Sequence, residues 1–261
     1  MLIEGHERLR YDCQLVLKEV GERGQDKLRK GSVLVVGAGG LGAPALYYLV
    51  AAGVGRVGIA DDDVVELSNL QRQILFTTED LGRPKAERAA TRLAALNPDV
   101  RLETYGRRLT AANTLGIVRG YDVVLTAVDN FPTRYLLNDA CVLERKTLVD
   151  GAVLRLVGLA MTVKGGETAC YRCLFPEPPP PAAAVSCSEA GVLGPIPGTI
   201  GAIQALEAIK VITGAGRPLY DRLLQFDGAA LTFNEVQVAR APSCPVCGDA
   251  PTITGLVDYD G

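Results

Sequence analysis

Tryptophan is absent, methionine occurs twice, and a single histidine, His6, stands near the start of the 261-residue chain. Histidine-based acid–base chemistry therefore has one candidate, and a solvated terminal residue is the plainer reading of it. No apolar run approaches the roughly 20 residues that cross a membrane. The first residues, Met1-Leu2-Ile3-Glu4-Gly5-His6-Glu7, lack the basic and apolar regions of a secretory signal, so a cytoplasmic protein is expected. Neither sign of charge dominates: 27 Lys and Arg face 30 Asp and Glu, a net charge of −3. That balance argues against nucleic acid as the main partner and gives no sign of a membrane surface. What is abundant is apolar: 48% of residues, ample for a sizeable core in one large α/β domain or two small ones.

The count of seven cysteines is odd. In a reducing compartment such cysteines are metal ligands or reactive thiols more often than disulfides.

A glycine-rich turn, Gly37-Ala38-Gly39-Gly40-Leu41-Gly42, organises the N-terminal half. Before it, Ser32-Val33-Leu34-Val35-Val36 reads as a buried parallel strand, and residues 41–52 read as an apolar helix. Strand, Gly-x-Gly-x-x-Gly turn and helix make a phosphate cradle, with close backbone approach and a helix N-terminus offering free N–H groups. A tight turn packed on neighbouring backbone would use the same glycines. The second strand, Val57-Gly58-Ile59-Ala60, ends in Asp61-Asp62-Asp63, where an acid can hold ribose hydroxyls, and this favours a nucleotide. The turn does not distinguish NAD from ATP.

Ahead of this unit, residues 8–30 read as a charged helical arm with Leu9, Cys13, Val16, Leu17 and Val20 on one face. Beyond it, Ser68-Asn69-Leu70-Gln71-Arg72-Gln73 reads as a surface helix capped by Ser68, or as a presentation of Asn69 and Arg72 to phosphates. Pro84 starts a helix reaching about Leu96, and Lys85 in its first turn calls for a nearby anion. Residues 100–105, 123–127 and 147–151 read as further strands, with helices over 110–119 and from Pro132. Asp129-Asn130 follows a strand end, so Asp129 is placed to share a cleft with Asp61 and to hold Mg²⁺, to cap the next helix, or both. After Gly151 the alternation stops. Residues 156–164 and 223–238 suggest an antiparallel extension of the sheet, with residues 198–213 a long amphipathic helix. The expected fold is thus α/β: a Rossmann-like mixed sheet, its parallel nucleotide-binding half continued by an antiparallel half.

Two Cys-x-x-Cys pairs, Cys170/Cys173 and Cys244/Cys247, fit a closed, structural, tetrahedral Zn²⁺ site. Between them the Pro-rich run over 176–181 can be neither helix nor central strand, so residues 176–190 are expected to form a mobile loop. Cys187 lies on that loop outside both pairs, as an incidental thiol or as a nucleophile. Cys141, within an apolar helix, reads as core.

Taken together and in order, the glycine turn, Asp61, the Ser-Asn-Leu-Gln-Arg-Gln stretch, Gly82-Arg83-Pro84-Lys85, Asp129-Asn130, the paired cysteines and Cys187-Ser188-Glu189-Ala190-Gly191 resemble the bacterial ThiF/MoeB adenylyltransferases, relatives of the ubiquitin-activating enzymes. The resemblance runs from about Arg8 to Gly248. It implies one unit over residues 1–261: a helical arm (1–30), an ATP-binding half (31–165), and a zinc-bearing half that docks the carrier (166–261). It implies adenylation, by ATP, of the C-terminal Gly-Gly carboxylate of a small ubiquitin-fold sulfur carrier, before thiocarboxylate formation for thiamine or molybdopterin. Carried over by motif, Gly37, Gly39, Gly40, Gly42, Asp61, Asp63, Asn69, Arg72, Gln73, Lys85, Asp129 and Asn130 surround the nucleotide and Mg²⁺. Arg72, Lys85, Asp129 and Cys187 are the catalytic candidates, Cys187 matching a cysteine that in some members links covalently to the carrier. A homodimer is also implied. With the sequence ending at Gly261, the sulfur donor (a cysteine desulfurase or a rhodanese-like protein) is expected to be separate.

One departure stands out. The family arm reads Arg-Tyr-x-Arg-Gln, and here it is Arg10-Tyr11-Asp12-Cys13-Gln14. The second arginine, which in the family reaches a partner's ATP, is a short neutral thiol without a guanidinium fork. Either Arg8 or Arg10 compensates or adenylation is slow. Two other readings stay open: a carrier-binding scaffold with weak or no chemistry, and an NAD-dependent oxidoreductase.

Overall fold

The computed structural model describes residues 5–180 and 187–259, with backbone alone at 187 and 188. Its first five strands are β1 (Ser32–Val36), β2 (Arg56–Ala60), β3 (Arg101–Tyr105), β4 (Val123–Thr126) and β5 (Thr147–Leu154). They are followed by β6 (Val157–Lys164), β7 (Arg222–Asp227) and β8 (Thr232–Gln237). The sheet order is β3-β2-β1-β4-β5-β6-β7-β8. β1 to β5 pair in parallel, and β5 to β8 pair antiparallel, as the sequence leads one to expect.

The helices are α1 (Gly5–Leu15), α2 (Gly21–Lys30), α3 (Gly42–Ala51), α4 (Lys85–Leu96), α5 (Ala111–Val118), α6 (Phe131–Leu143), α7 (Tyr171–Leu174), α8 (Cys187–Ala190) and α9 (Pro195–Thr213). The central strands β1 and β4 are buried at every position, and apolar but for Ser32 and Thr126, because both faces are covered. Val33 and Val35 of β1 face one core with Leu46, Leu49 and Ile200. Leu34 and Val36, pointing the other way by the two-residue repeat, join Leu137, Val163 and Cys141. Cys141 is core, as read from sequence. Among the described residues no helix is long and apolar enough to cross a membrane.

The glycine turn is built by contact. Gly37 has φ +94°, and a Cβ on Gly42 would stand 1.9 Å from the Gly37 carbonyl oxygen. Gly42→Ala is therefore expected to destabilise the protein by about 2–3 kcal/mol, through overpacking with no flexible neighbour to yield. An unchanged denaturation midpoint would show that the turn has room.

The arm differs from its expectation. It is two helices, broken before Gly21, whose φ of +55° does not continue a helix. The face carrying Leu9, Val16 and Leu17 is turned to solvent, with Leu9 82% exposed. The arm docks instead through polar contacts. Asn97 Nδ2 donates to the Tyr11 hydroxyl at 2.8 Å, Gln25 Nε2 to the Ala52 carbonyl at 2.9 Å, and Lys27 Nζ to the Thr213 carbonyl at 2.6 Å. Ala52 and Asn97 precede β2 and β3, so the arm sits at the amino ends of the strands.

Candidate active site

A cavity of about 1060 Å³ opens at the carboxyl ends of β1, β2, β4 and β5. β1 lies between β2 and β4, so chain direction away from it reverses there, which is where open α/β sheets bind ligands. Its walls include Gly37, Gly39, Gly40, Asp61, Asp63, Arg72, Gln73, Lys85, Asp129 and Asn130. Ten of the twelve positions expected around a nucleotide are thus brought to one space. The other two stand behind it. Gly42 packs under Gly37, and Asn69 is buried, with its Oδ1 accepting from the Glu66 N–H at 3.2 Å.

Each wall residue is held by local chemistry. Asp61 accepts from the Ala38 N–H at 2.7 Å and from the Asp63 N–H at 2.9 Å, tying the end of β2 to the glycine turn. Burial raises the Asp61 pKa, and the Ala38 N–H and the Lys85 ammonium work against that rise. Arg72 and Gln73 stand against Gly40 and Gly39: Cβ atoms added at those glycines would lie 3.4 Å from Arg72 Cγ and 3.6 Å from Gln73 Nε2. Gln73 Oε1 is buried and has no partner among the described residues, a group that a ligand or its water would satisfy. Arg72 Nη1 rests on the Ser68 carbonyl at 3.0 Å.

The stretch from Ser68 is not the capped helix that one reading allowed. It is a 3₁₀ turn, Leu67–Asn69, whose cap is Glu66. The turn is closed from both ends by side chains, which brings Arg72 and Gln73 beside the glycines without a helical face.

Lys85 opens α4, and its anion is in the protein. Its Nζ lies 2.9 Å from Asp63 Oδ2, and the lysine side chain is only 6% exposed. Asn130, not Asp129, caps α6, its Oδ1 accepting from the Thr133 N–H at 2.9 Å. Asp129 is left facing the cavity with no hydrogen bond or ion pair to a described residue. A free carboxylate in a phosphate-sized cleft is a suitable oxygen donor for Mg²⁺.

Sequence reading missed a buried ion pair in the same wall. Arg134 Nη1 lies 2.6 Å from both oxygens of Asp150. Burial raises the Asp150 pKa against the attraction of Arg134. The signal was available: Asp150 closes the parallel pairing of β5 with β4, level with the strand end that Asp129 follows. Arg107, Arg108 and Arg155 also line the cavity, from loops whose sequence carries no motif.

The four paired cysteines converge. Their sulfur atoms lie within 4.8 Å of one another, with Cys170–Cys244 at 3.6 Å, Cys173–Cys247 at 3.4 Å and Cys170–Cys173 at 4.0 Å. A tetrahedral ion with bonds of about 2.3 Å to sulfur needs sulfur–sulfur edges of about 3.8 Å, so the cluster is sized for a metal. The Cys173 thiol is held down by Cys170 and Cys247, and the Ala241 N–H donates to its sulfur at 3.4 Å, as befits a thiolate ligand.

Cys187 is the first residue of α8, and its side chain lies outside the described residues, as do residues 181–186 of the expected loop. Pro179 before this stretch and Val192 after it both line the cavity. His6 is remote, 3.2 Å from Asp99 on the exposed arm side.

A model of the ThiF family matches residues 11–246. The chain is 55% identical over 256 residues to a sulfur carrier protein adenylyltransferase of Thermus thermophilus, covering 96% of this chain and 94% of that protein. It is 51% identical over 252 residues to the adenylyltransferase and sulfurtransferase MOCS3 of Drosophila yakuba, covering 96% of this chain and 56% of that longer protein. Among solved structures, E. coli MccB with ATP matches with a TM-score of 0.76 at 22% identity, over 86% of this chain and 69% of that one. PaaA matches with a TM-score of 0.77 at 19% identity, over 92% and 76%. The structural likenesses concern the fold; the sequence matches go further, and with them the glycine turn, the basic wall and the paired cysteines fall into place: the chain belongs to the ThiF family.

Proposed function

We propose that this chain is an adenylyltransferase that activates the C-terminal Gly-Gly carboxylate of a small ubiquitin-fold sulfur carrier with ATP. One observation carries the reading. Arg72 and Gln73 stand against Gly40 and Gly39, and Lys85 and Asp129, the latter with no hydrogen bond or ion pair to a described residue, line the same cavity, whose walls contain no histidine among the described residues. That is a site for holding and neutralising a polyphosphate, chemistry that needs positioning and charge more than acid–base groups. The names of the relatives point the same way.

In the reaction a carrier carboxylate oxygen attacks the α-phosphorus. The new bond is carboxylate oxygen to phosphorus, the bond to the α–β bridging oxygen breaks, and pyrophosphate leaves with that electron pair. No proton need move. Glycine N–H groups and α3 cradle phosphates, Arg72 and Lys85 balance charge, and Asp61 is placed for the ribose. Asp129 would hold Mg²⁺, which supplies charge neutralisation at the phosphates. The four cysteines would hold Zn²⁺ in a closed, structural set. Sulfur then comes from a separate donor, for thiamine or molybdopterin synthesis.

The test is carrier-dependent exchange of labelled pyrophosphate into ATP, using a ubiquitin-fold protein ending in Gly-Gly from the same genome. Exchange supports the reading. ATP binding with no exchange for any such carrier leaves a scaffold. Thermal stabilisation by NAD and not by Mg-ATP would overturn it in favour of an oxidoreductase.

The arm bears on the rate. It sits at the amino ends of the strands, away from its own cavity, so a family-like role for position 13 would be played at a second copy's cavity, which supports a homodimer. Arg8 pairs with Glu22 at 2.8 Å and Arg10 with the Leu96 carbonyl at 3.0 Å, both exposed contacts that cost little to break, so compensation by either arginine remains the alternative to slow adenylation. Cys13→Arg is expected to speed exchange by about 10²-fold, the usual worth of one such donor. A variant no faster than the parent would show that position 13 is not limiting.

A further inference from the structure

Arg134 makes more contacts than an ion pair requires. Besides both oxygens of Asp150, its Nη1 donates to the Gly151 carbonyl at 3.0 Å, and its Nη2 donates to the Val128 carbonyl at 3.1 Å. Val128 immediately precedes Asp129. Arg134 and Asp150 are 5% and 4% exposed, so the fork is rigid and shielded from water. Asp129 itself has no hydrogen bond or ion pair to a described residue to fix it. The turn that carries it leaves β4 at Thr126 and enters α6 at Phe131. Between those ends it is held by the Ala127 N–H on the Val36 carbonyl at 2.8 Å, the Arg134 fork on Val128, and the Asn130 cap.

We infer that Arg134 is a positioning residue, clamping the Val128–Asp129 turn to β5 at Asp150 and Gly151 and so fixing where the Asp129 carboxylate stands in the cavity. Its consequence for rate rests on the adenylation reading; the clamp itself does not. A planar guanidinium suits the task because Nη1 and Nη2 address β5 and the turn after β4 at once. An ammonium has one nitrogen and cannot span them in this geometry. The buried pair is then retained for placement, since a hydrophobic pair of similar volume serves stability as well or better.

Removing one partner would strand a buried charge and could unfold the protein. The informative variant is the pair Arg134→Met with Asp150→Leu, with Arg134→Lys beside it, which keeps a charge for Asp150 and loses the fork. Crystal structures of these variants are expected to show the 128–130 turn displaced by about 1 Å or more, or disordered, at a melting temperature near that of the parent for the paired variant. In pyrophosphate exchange, the Mg²⁺ concentration giving half the maximal rate is expected to rise at least about tenfold, with a smaller change in the KM for ATP. Merely structural damage would lower the melting temperature and the amount of active enzyme without moving that Mg²⁺ midpoint. A folded paired variant with the turn in place and the Mg²⁺ midpoint unchanged would overturn the inference. A displaced turn in a protein whose parent shows no exchange would uphold the clamp and reject adenylation instead.

Discussion

Asp129→Ala lowers carrier-dependent pyrophosphate exchange by about 10³-fold while leaving the melting temperature where it was. The two halves of this expectation come from one fact: Asp129 is exposed and makes no hydrogen bond or ion pair to a described residue. Its loss strands no donor and opens no core cavity, so stability should move by no more than about 0.5 kcal/mol. Two other acids of the cavity wall are engaged. Asp61 is bonded to the Ala38 and Asp63 N–H groups, and Asp63 to Lys85. Asp62 also lines the cavity without a hydrogen bond or ion pair to a described residue, so it is the acid placed to substitute in part. Loss of a bridging cation at a phosphoryl centre removes several kcal/mol of charge stabilisation, which gives the size of the effect. ATP binding measured without Mg²⁺ should be unchanged or slightly tighter in the variant, because a negative charge has left the cleft. Exchange within tenfold of the parent would mean that another carboxylate anchors the cation, and Asp62 would be the next to replace.

The sequence was most legible where the chemistry is local. A strand, a glycine turn and a helix N-terminus are consecutive in the chain, so the phosphate cradle could be read at sight. Strand-end acids followed from the rule that parallel strands present their carboxyl ends to ligand. The paired cysteines were legible because metal ligation imposes spacing. What escaped was long-range or cooperative. Arg134 looks like any helical arginine until α6 is laid beside β5 and its partner at 150 is found. The arm illustrates the opposite failure. Leu9, Val16 and Leu17 do form an apolar face, but periodicity says only that a face exists, not that its own chain covers it. Tyr11, one residue in that segment, does the anchoring, through a hydroxyl bond to Asn97 that no pattern announces. At Ser68 the misreading was of turn chemistry: Glu66 and Asn69 close a 3₁₀ turn by reciprocal side-chain bonds, and a helix was never started.

The largest effect on stability is expected at the four-cysteine cluster. Cys244→Ala should remove an equivalent of bound zinc and lower the melting temperature by about 10 °C, the equivalent of about 4 kcal/mol for a chain of this size. The figure is below the full worth of a zinc site, because apolar packing remains. Tyr171, Val238 and Val246 share a core with Leu223 and Met161 and do not depend on the metal. What a bound metal would add is closure between two distant segments. Without it, residues from Val238 onward are joined to α7 chiefly by Arg172, whose guanidinium bonds Asp139 at 2.7 Å and the Tyr259 hydroxyl at 2.7 Å. The functional signature should be one-sided. α7 carries Leu174 into the cavity wall, on the side lined by Phe175 and Leu223, and this is the apolar side, away from Arg72 and Lys85. Loosening it should raise the KM for the carrier more than the KM for ATP. Equal effects on both would mean that the cluster supports the whole sheet rather than this wall. A parent protein purified without metal and melting like Cys244→Ala would mean that the four sulfurs are held by packing alone, with Arg172 and Asp139 as the true clasp of the C-terminal segment.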